Sequence, residues 1–134
     1  MGAPMTLFNL AQRGMSAQLV RMNAAASNLA NAGTVASSED GTYRPIRPVF
    51  ATELDKQTGL SAVDVQSVVR ENARAIKEHN PDHPLADANG DIWTSPVDEN
   101  AEMVEMLESA RQYQNLVEAL STAKQLMLDT MRMK

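Results

Sequence analysis

Apolar residues recur at helical spacing at both ends of the chain, and the polar positions between them differ in kind from one end to the other. Near the N-terminus, Phe8, Ala11, Met15, Leu19, Met22, Ala26 and Leu29 follow steps of 3, 4, 4, 3, 4 and 3. That spacing keeps one face of a helix aimed at a partner helix. Thr6 suits the N-cap, and Asn31-Ala32-Gly33 supplies a stop in which Gly33 can take a left-handed conformation. Gly14 costs about 1 kcal/mol in a helix interior. Its expected use is close backbone approach, since Ala17, Ala24 and Ala25 keep the same helix slim.

The C-terminal stripe is longer. Met103, Met106, Ala110, Tyr113, Val117, Leu120, Lys124, Met127 and Met131 step strictly 3, 4, 3, 4, and Leu107, Leu116, Ala123 and Leu128 widen the face. Ser95-Pro96-Val97-Asp98 reads as an N-cap, a proline at the first helical position and an acid in the first turn. Glu99, Glu102, Glu105 and Glu108 crowd the start, and Arg132 and Lys134 stand at the end, which matches the helix dipole. A helix from Val97 to Met133 spans about 55 Å at 1.5 Å per residue. Such a rod is longer than its own middle segment can cover. Leu120, at mid-stripe, is therefore expected to complete its packing only against other chains.

Between the stripes the pattern is extended and broken by turns. Tyr43 to Phe50 holds Pro45 and Pro48, which push the backbone toward strand geometry. After Gly59, Val63, Val65 and Val69 fall on one face of a strand, and Ile92-Trp93-Thr94 follows a type I′ turn signal at Asn89-Gly90. Arg70 to His79 reads as either helix or strand. Trp93 is the expected core anchor of this region. The pattern predicts a mainly α chain with a small β-rich insertion, its long N- and C-terminal helices packed as an antiparallel coiled-coil-like pair. The divisions are 1–33 for the first helix, 34–96 for the middle module and 97–134 for the last helix.

Charge sharpens the picture. Residues 1–38 contain no Asp, Glu or Lys. The polar face of the first helix carries Asn9, Gln12, Ser16, Gln18, Asn23, Ser27, Asn28 and Asn31, with only Arg13 and Arg21 charged. Exposed helices usually display Glu and Lys, whereas neutral amides and hydroxyls can be satisfied against protein. This helix is built to be covered on more than one side. Overall the chain carries 12 basic and 17 acidic side chains, for a net charge of −5, which argues against a nucleic-acid binder. The second half, residues 61–134, holds seven bases and thirteen acids.

There is no cysteine, so disulfides and thiolate metal sites are excluded. No run approaches the roughly 20 apolar residues of a membrane span, and no secretory signal pattern stands at the start. Two arginines in 38 residues are too few for a mitochondrial presequence. His79 and His83 have the spacing of a helical zinc pair, but Pro81 and Pro84 forbid a regular helix there and no third ligand is in reach. Asp87-Ala88-Asn89-Gly90 imitates part of a calcium loop whose first and last ligand positions would fall on Leu85 and Pro96, so it reads as a turn. No phosphate loop or nucleophile pattern is present. No enzyme, cofactor or small-molecule substrate is expected.

Ala25-Ala26-Ser27-Asn28-Leu29-Ala30-Asn31-Ala32 resembles the signature near the N-terminus of bacterial flagellar rod and hook proteins. Gly14 to Gln18, Tyr43-Arg44, Pro48 to Ala51, Pro81 to Pro84, Ala86-Asp87, Glu102-Met103, Ala110 to Gln114 and Thr122 to Gln125 narrow the resemblance to subunits of the proximal rod. Asn115-Leu116 stands where the family usually has Ala-Asn, and Asp91 where an aromatic commonly follows the glycine. The resemblance implies a structural subunit of the basal-body rod, the drive shaft that transmits torque through the periplasm. It implies export by the flagellar type III apparatus without a cleaved signal peptide. Implied partners are copies of the chain itself, other rod subunits and the export apparatus, with no membrane insertion.

Combined with the stripes, this places the subunit-packing residues at Phe8, Met15, Leu19, Met22, Ala26, Asn28, Leu29 and Asn31. On the last helix they are Met103, Met106, Ala110, Tyr113, Val117, Leu120, Met127 and Met131. The alternative from another class is a soluble helical adaptor or export chaperone that takes a partner helix in a Met-lined groove. A metal-dependent hydrolase using His79 and His83 is the contrasting enzyme reading.

Overall fold

The computed structural model describes residues 6–133. Helix α1 runs Leu7–Ala30 and helix α2 runs Glu99–Arg132. Five strands lie between them: β1 Val35–Ala36, β2 Ile46–Leu54, β3 Ser61–Arg70, β4 Ile76–His79 and β5 Asp91–Thr94. They form a β2–β3 hairpin and a separate antiparallel sheet in the order β1-β5-β4.

The fold is thus mixed α/β, which corrects the expectation of a mainly α chain with a small β insertion built on a coiled-coil-like helix pair. The reason is physical. α1 is not paired with α2 alone, because its other flank is occupied along much of its length by the hairpin. The prolines of β2 do not prevent this. Pro48 sits opposite Val68 in a two-stranded ribbon, where a missing ladder donor can face outward. A register shift between Val49 and Phe50 bends the ribbon.

Local signals explain most ends. Thr6 caps α1 by accepting from the Asn9 N–H at 3.1 Å, and Gly33 takes φ 78° just after it. At α2 the sequence reading moves. Asp98, not Ser95, is the N-cap, accepting from the N–H groups of Asn100 and Ala101. Ser95 is buried and donates instead to the Tyr43 carbonyl at 2.9 Å, tying the entry of α2 to the start of the hairpin. Lys134, expected at the C-terminal end of this helix, lies outside the described residues.

The Asn89-Gly90 turn is not type I′, which needs positive φ at both residues. Among the described residues only glycines have positive φ, here Gly90 at 81°. The turn is built by Asp87, whose carbonyl accepts from the Gly90 N–H at 3.0 Å. Its carboxylate accepts from the N–H groups of Asn89 and Asp91. The segment from Arg70 to His79 resolves into the end of β3 and the short β4.

What is missing from the interior matters most. The buried apolar residues are Ala17, Ala24, Ala25, Ala62 and Ile92, and the largest side chains fully out of water are Glu102, Asn28 and Ser109. Trp93, expected as an anchor, is only half-buried, with the Lys77 ammonium 5.6 Å from its ring centroid. Small and polar groups fill this core.

Candidate assembly surface

The C-terminal stripe divides into two faces. Glu102, Met106, Ser109, Tyr113, Leu116, Leu120 and Ala123 are the buried or half-buried positions of α2, with Glu105 and Ala110 beside them. This inner seam faces α1 antiparallel. Arg21 Nε donates to Glu105 Oε1 at 2.7 Å, and a methyl at Gly14 would stand 3.1 Å from Leu116 Cδ1. Gly14 therefore permits the close approach expected of it. Leu116, Ala119, Leu120 and Ala123 line an apolar groove of about 210 Å³ with Leu7, Leu10 and Ala11. Leu120 thus packs against the chain's own first helix, contrary to the expectation that its packing waits for other chains.

The remaining positions of the stripe are left in water. Met103 is 47% exposed, Val117 43%, Met127 52% and Met131 68%. Met127 and Met131 continue the inner seam by steps of four from Ala123, beyond the last α1 side chain that reaches it. At 1.5 Å per residue α2 is about 51 Å long against about 36 Å for α1, so an overhang is unavoidable. Val104, Leu107 and Leu128 are also exposed.

On α1, Leu19 and Ala26 are exposed, whereas Phe8, Met15, Met22, Leu29 and Asn31 are half-buried. Asn28 is fully buried and serves the chain's own fold. Its Nδ2 donates to the Ile46 carbonyl at 3.0 Å, and its Oδ1 accepts from the Ile46 N–H at 2.8 Å. The same oxygen accepts from the Tyr43 hydroxyl at 2.8 Å, which also lies 3.0 Å from Ser27 Oγ. The amide side chain replaces a neighbouring strand at the first residue of β2. Asn31 Nδ2 donates to the Ser27 carbonyl at 2.8 Å, closing the end of α1.

The arginines form a second set of ties that sequence reading missed. Arg13 donates to Asp64 and to Glu53, joining α1 to both strands of the hairpin. These carboxylates, Asp64 first, raise the Arg13 guanidinium above its ordinary value. Arg13 in turn holds Asp64 below the usual carboxylate range. Glu105 raises Arg21 in the same way. Arg47 Nη2 of β2 stands 2.5 Å from Glu102 Oε1, and Glu102 is wholly buried at the meeting of β2 and α2. The Glu102 oxygens meet no donor at full hydrogen-bond geometry among the described residues, so this close contact with Arg47 is their compensation. Arg47 is raised, first by Glu102. The only available signal was that Arg13 and Arg21 are isolated charges in a neutral helix.

The histidines lie apart from this surface. His79 Nδ1 is 3.0 Å from Asp91 Oδ1, and His79 with Lys77 lowers the Asp91 carboxyl. His83 Nδ1 accepts from the Leu85 N–H at 3.0 Å. Among the described residues no helix is long and apolar enough to cross a membrane.

The geometry describes a chain whose two helices pack along a seam of leucines and small residues and hold a hairpin largely through polar ties, with apolar faces left over. Comparison with known proteins agrees with that character. Residues 8–35 match the family of flagella basal body rod proteins. Residues 88–133 match the C-terminal family of flagellar basal body rod FlgEFG proteins. The flagellar basal-body rod protein FlgC of Salmonella typhimurium is 37% identical over 129 residues, covering 96% of each chain. FlgC of Yersinia enterocolitica is 37% identical over 127 residues, covering 95% of each. FlgC of Buchnera aphidicola subsp. Acyrthosiphon pisum is 30% identical over 129 residues, again covering 95% of each. Two terminal helices that match rod families, and likeness over nearly the whole length, place this chain in the FlgC family of flagellar basal-body rod proteins.

Proposed function

We propose that this chain is a structural subunit of the proximal rod of the bacterial flagellar basal body, assembled through surfaces that its own fold leaves uncovered. Its relatives are rod structural proteins and not enzymes. Membership of the rod family implies assembly with other flagellar rod components. The finer reading is that those neighbours include copies of the chain itself, and that the rod stands in the periplasm and transmits torque. Delivery there by the type III export apparatus without a cleaved signal belongs to the same reading. The exposed members of the two stripes, Leu19, Ala26, Met103, Val117, Met127 and Met131, are the subunit-packing residues it assigns.

One observation carries the proposal. The chain exposes 9134 Å², where a folded monomer of its 14.6 kDa mass exposes about 6,900 Å². The excess of about 2,200 Å² compares with the roughly 800 Å² that each partner gives to a standard interface. One copy therefore has surface for more than one neighbour.

Replacing Met127 and Met131 together with Asp tests this. Both residues lie on the overhang and are exposed, so the purified variant should melt within about 2 °C of the wild type, as surface changes do. Cells carrying it should lack rods and motility, because a desolvated carboxylate at a subunit contact is costly. Normal motility at normal protein level would refute the assignment of the overhang. A large fall in melting temperature would show that the overhang stabilises the chain itself.

A further inference from the structure

Resting on the rod-subunit reading, we infer that copies of this chain join head to tail, the outer face of the β2–β3 hairpin of one copy lying on the outer face of α2 of the next. The two faces are different, uncharged and on opposite sides of the molecule.

The hairpin has an inner side fixed by its ties. Glu53 and Asp64 reach Arg13 of α1, and Ala62 between them is wholly buried. In the ladder Glu53 pairs with Ala62, and Ala51 with Asp64. Side chains alternate along a strand, so Thr52, Leu54, Ser61 and Val63 point the other way. Leu54 is 58% exposed and Val63 41%. Phe50 and its ladder partner Val65 line grooves shared with α1, so the outer face is confined to the Thr52–Leu54 and Ser61–Val63 end of the ribbon. No charge interrupts this face from Thr52 to Leu54.

On α2, Ala101 and Glu105 border the groove shared with Pro48 and Phe50, which places the chain's own hairpin on that flank. At 100° per residue, Met103, Leu107 and Val117 lie about 140–180° round the helix from the middle of that flank. Leu107 is 65% exposed. From Met103 to Ser121 the positions at this angle, with Gln114 among them, carry no charge. A neutral helical strip and a neutral strand face are matched in character.

The occupant is a second copy because one molecule carries both halves and has surplus surface for two contacts. A contact between unlike faces on opposite sides does not close on itself in a pair; it propagates into a ring or a helix. An isologous dimer would use one face twice and leave the other in water.

The wild-type chain has no cysteine, so introduced thiols report without background. Leu54→Cys and Leu107→Cys would be made singly and together, with Val63→Cys and Met103→Cys as a second set, and treated with a short bis-maleimide in purified hook–basal bodies. The double variants should give a ladder of dimers and higher multimers of this chain, and each single variant none. Dimers from a single variant would overturn the head-to-tail contact in favour of a symmetric one. Double variants present in the basal body that give no multimers, or that link to a different protein, would overturn the self-contact and leave the rod-subunit reading standing. Absence of the wild-type chain from basal bodies would overturn both.

Discussion

Single residues in this chain hold elements together where a larger core would do so elsewhere. Asn28 is the clearest case. One amide satisfies the N–H and the carbonyl of Ile46 and the hydroxyl of Tyr43. Asn28→Ala removes the partner of the part-buried Ile46 N–H and carbonyl and leaves the Tyr43 hydroxyl to Ser27, and the expected cost is about 2 kcal/mol of stability, read as a lower urea midpoint. A change below about 0.5 kcal/mol would mean that water replaces the amide without loss. The neutral polar face of the first helix announced that it would be covered, and Asn28 could be picked out within it. Its partner could not, because a residue in a helix gives no hint that it pairs with a strand start eighteen positions on. Arg13 and Asp64 make a pH-dependent counterpart. Folding lowers the Asp64 carboxyl, so its contribution is fully present above the unfolded value near 3.9 and is lost as pH falls below it toward the folded value. The stability difference between wild type and Asp64→Asn should be constant from pH 5 to 7 and shrink below about pH 4. A difference that stays constant to pH 2.5 would show that the tie adds nothing through ionisation.

Among the elements, the helices were readable from period and caps, and the hairpin was underestimated. Pro45 and Pro48 signalled extended chain, and Val63, Val65 and Val69 signalled a strand. Nothing local showed that the two would pair over their whole length and lie along α1. The heptad steps of α2 were real but ran between its two faces. Steps of three and four set alternate members of the stripe about 40–60° apart round the helix, so Met106, Tyr113 and Leu120 turn to the inner seam while Met103 and Val117 turn to the outer strip. Where three elements meet, Arg47 is matched to the buried Glu102. Arg47→Met leaves that carboxylate uncompensated. The expected loss is on the order of 2 kcal/mol, below the value for a fully buried pair because Arg47 is more than a third exposed. Adding Glu102→Met to Arg47→Met should recover most of it in thermal melts. A double variant no better than the single one would show that the carboxylate has another role at the junction.

For the whole molecule the central claim is that the fold is completed by its neighbours. The interior is built largely from alanines and polar side chains such as Asn28, Ser109 and Glu102, while Leu54, Leu107, Met127 and Met131 stay in water. Family likeness explains why such a chain exists, and the excess surface explains what the likeness requires. Methionine oxidation measures this directly, since a thioether in water is readily converted to the sulfoxide. Brief hydroxyl-radical exposure of the chain free in dilute solution, and of the chain within purified hook–basal bodies, would be followed by mass spectrometry of each methionine. Met103, Met127 and Met131 should oxidise quickly in the free chain and several-fold more slowly in the assembled rod, while Met106, half-buried against the chain's own helix, changes little. Equal oxidation of Met103, Met127 and Met131 in the two states would contradict the account.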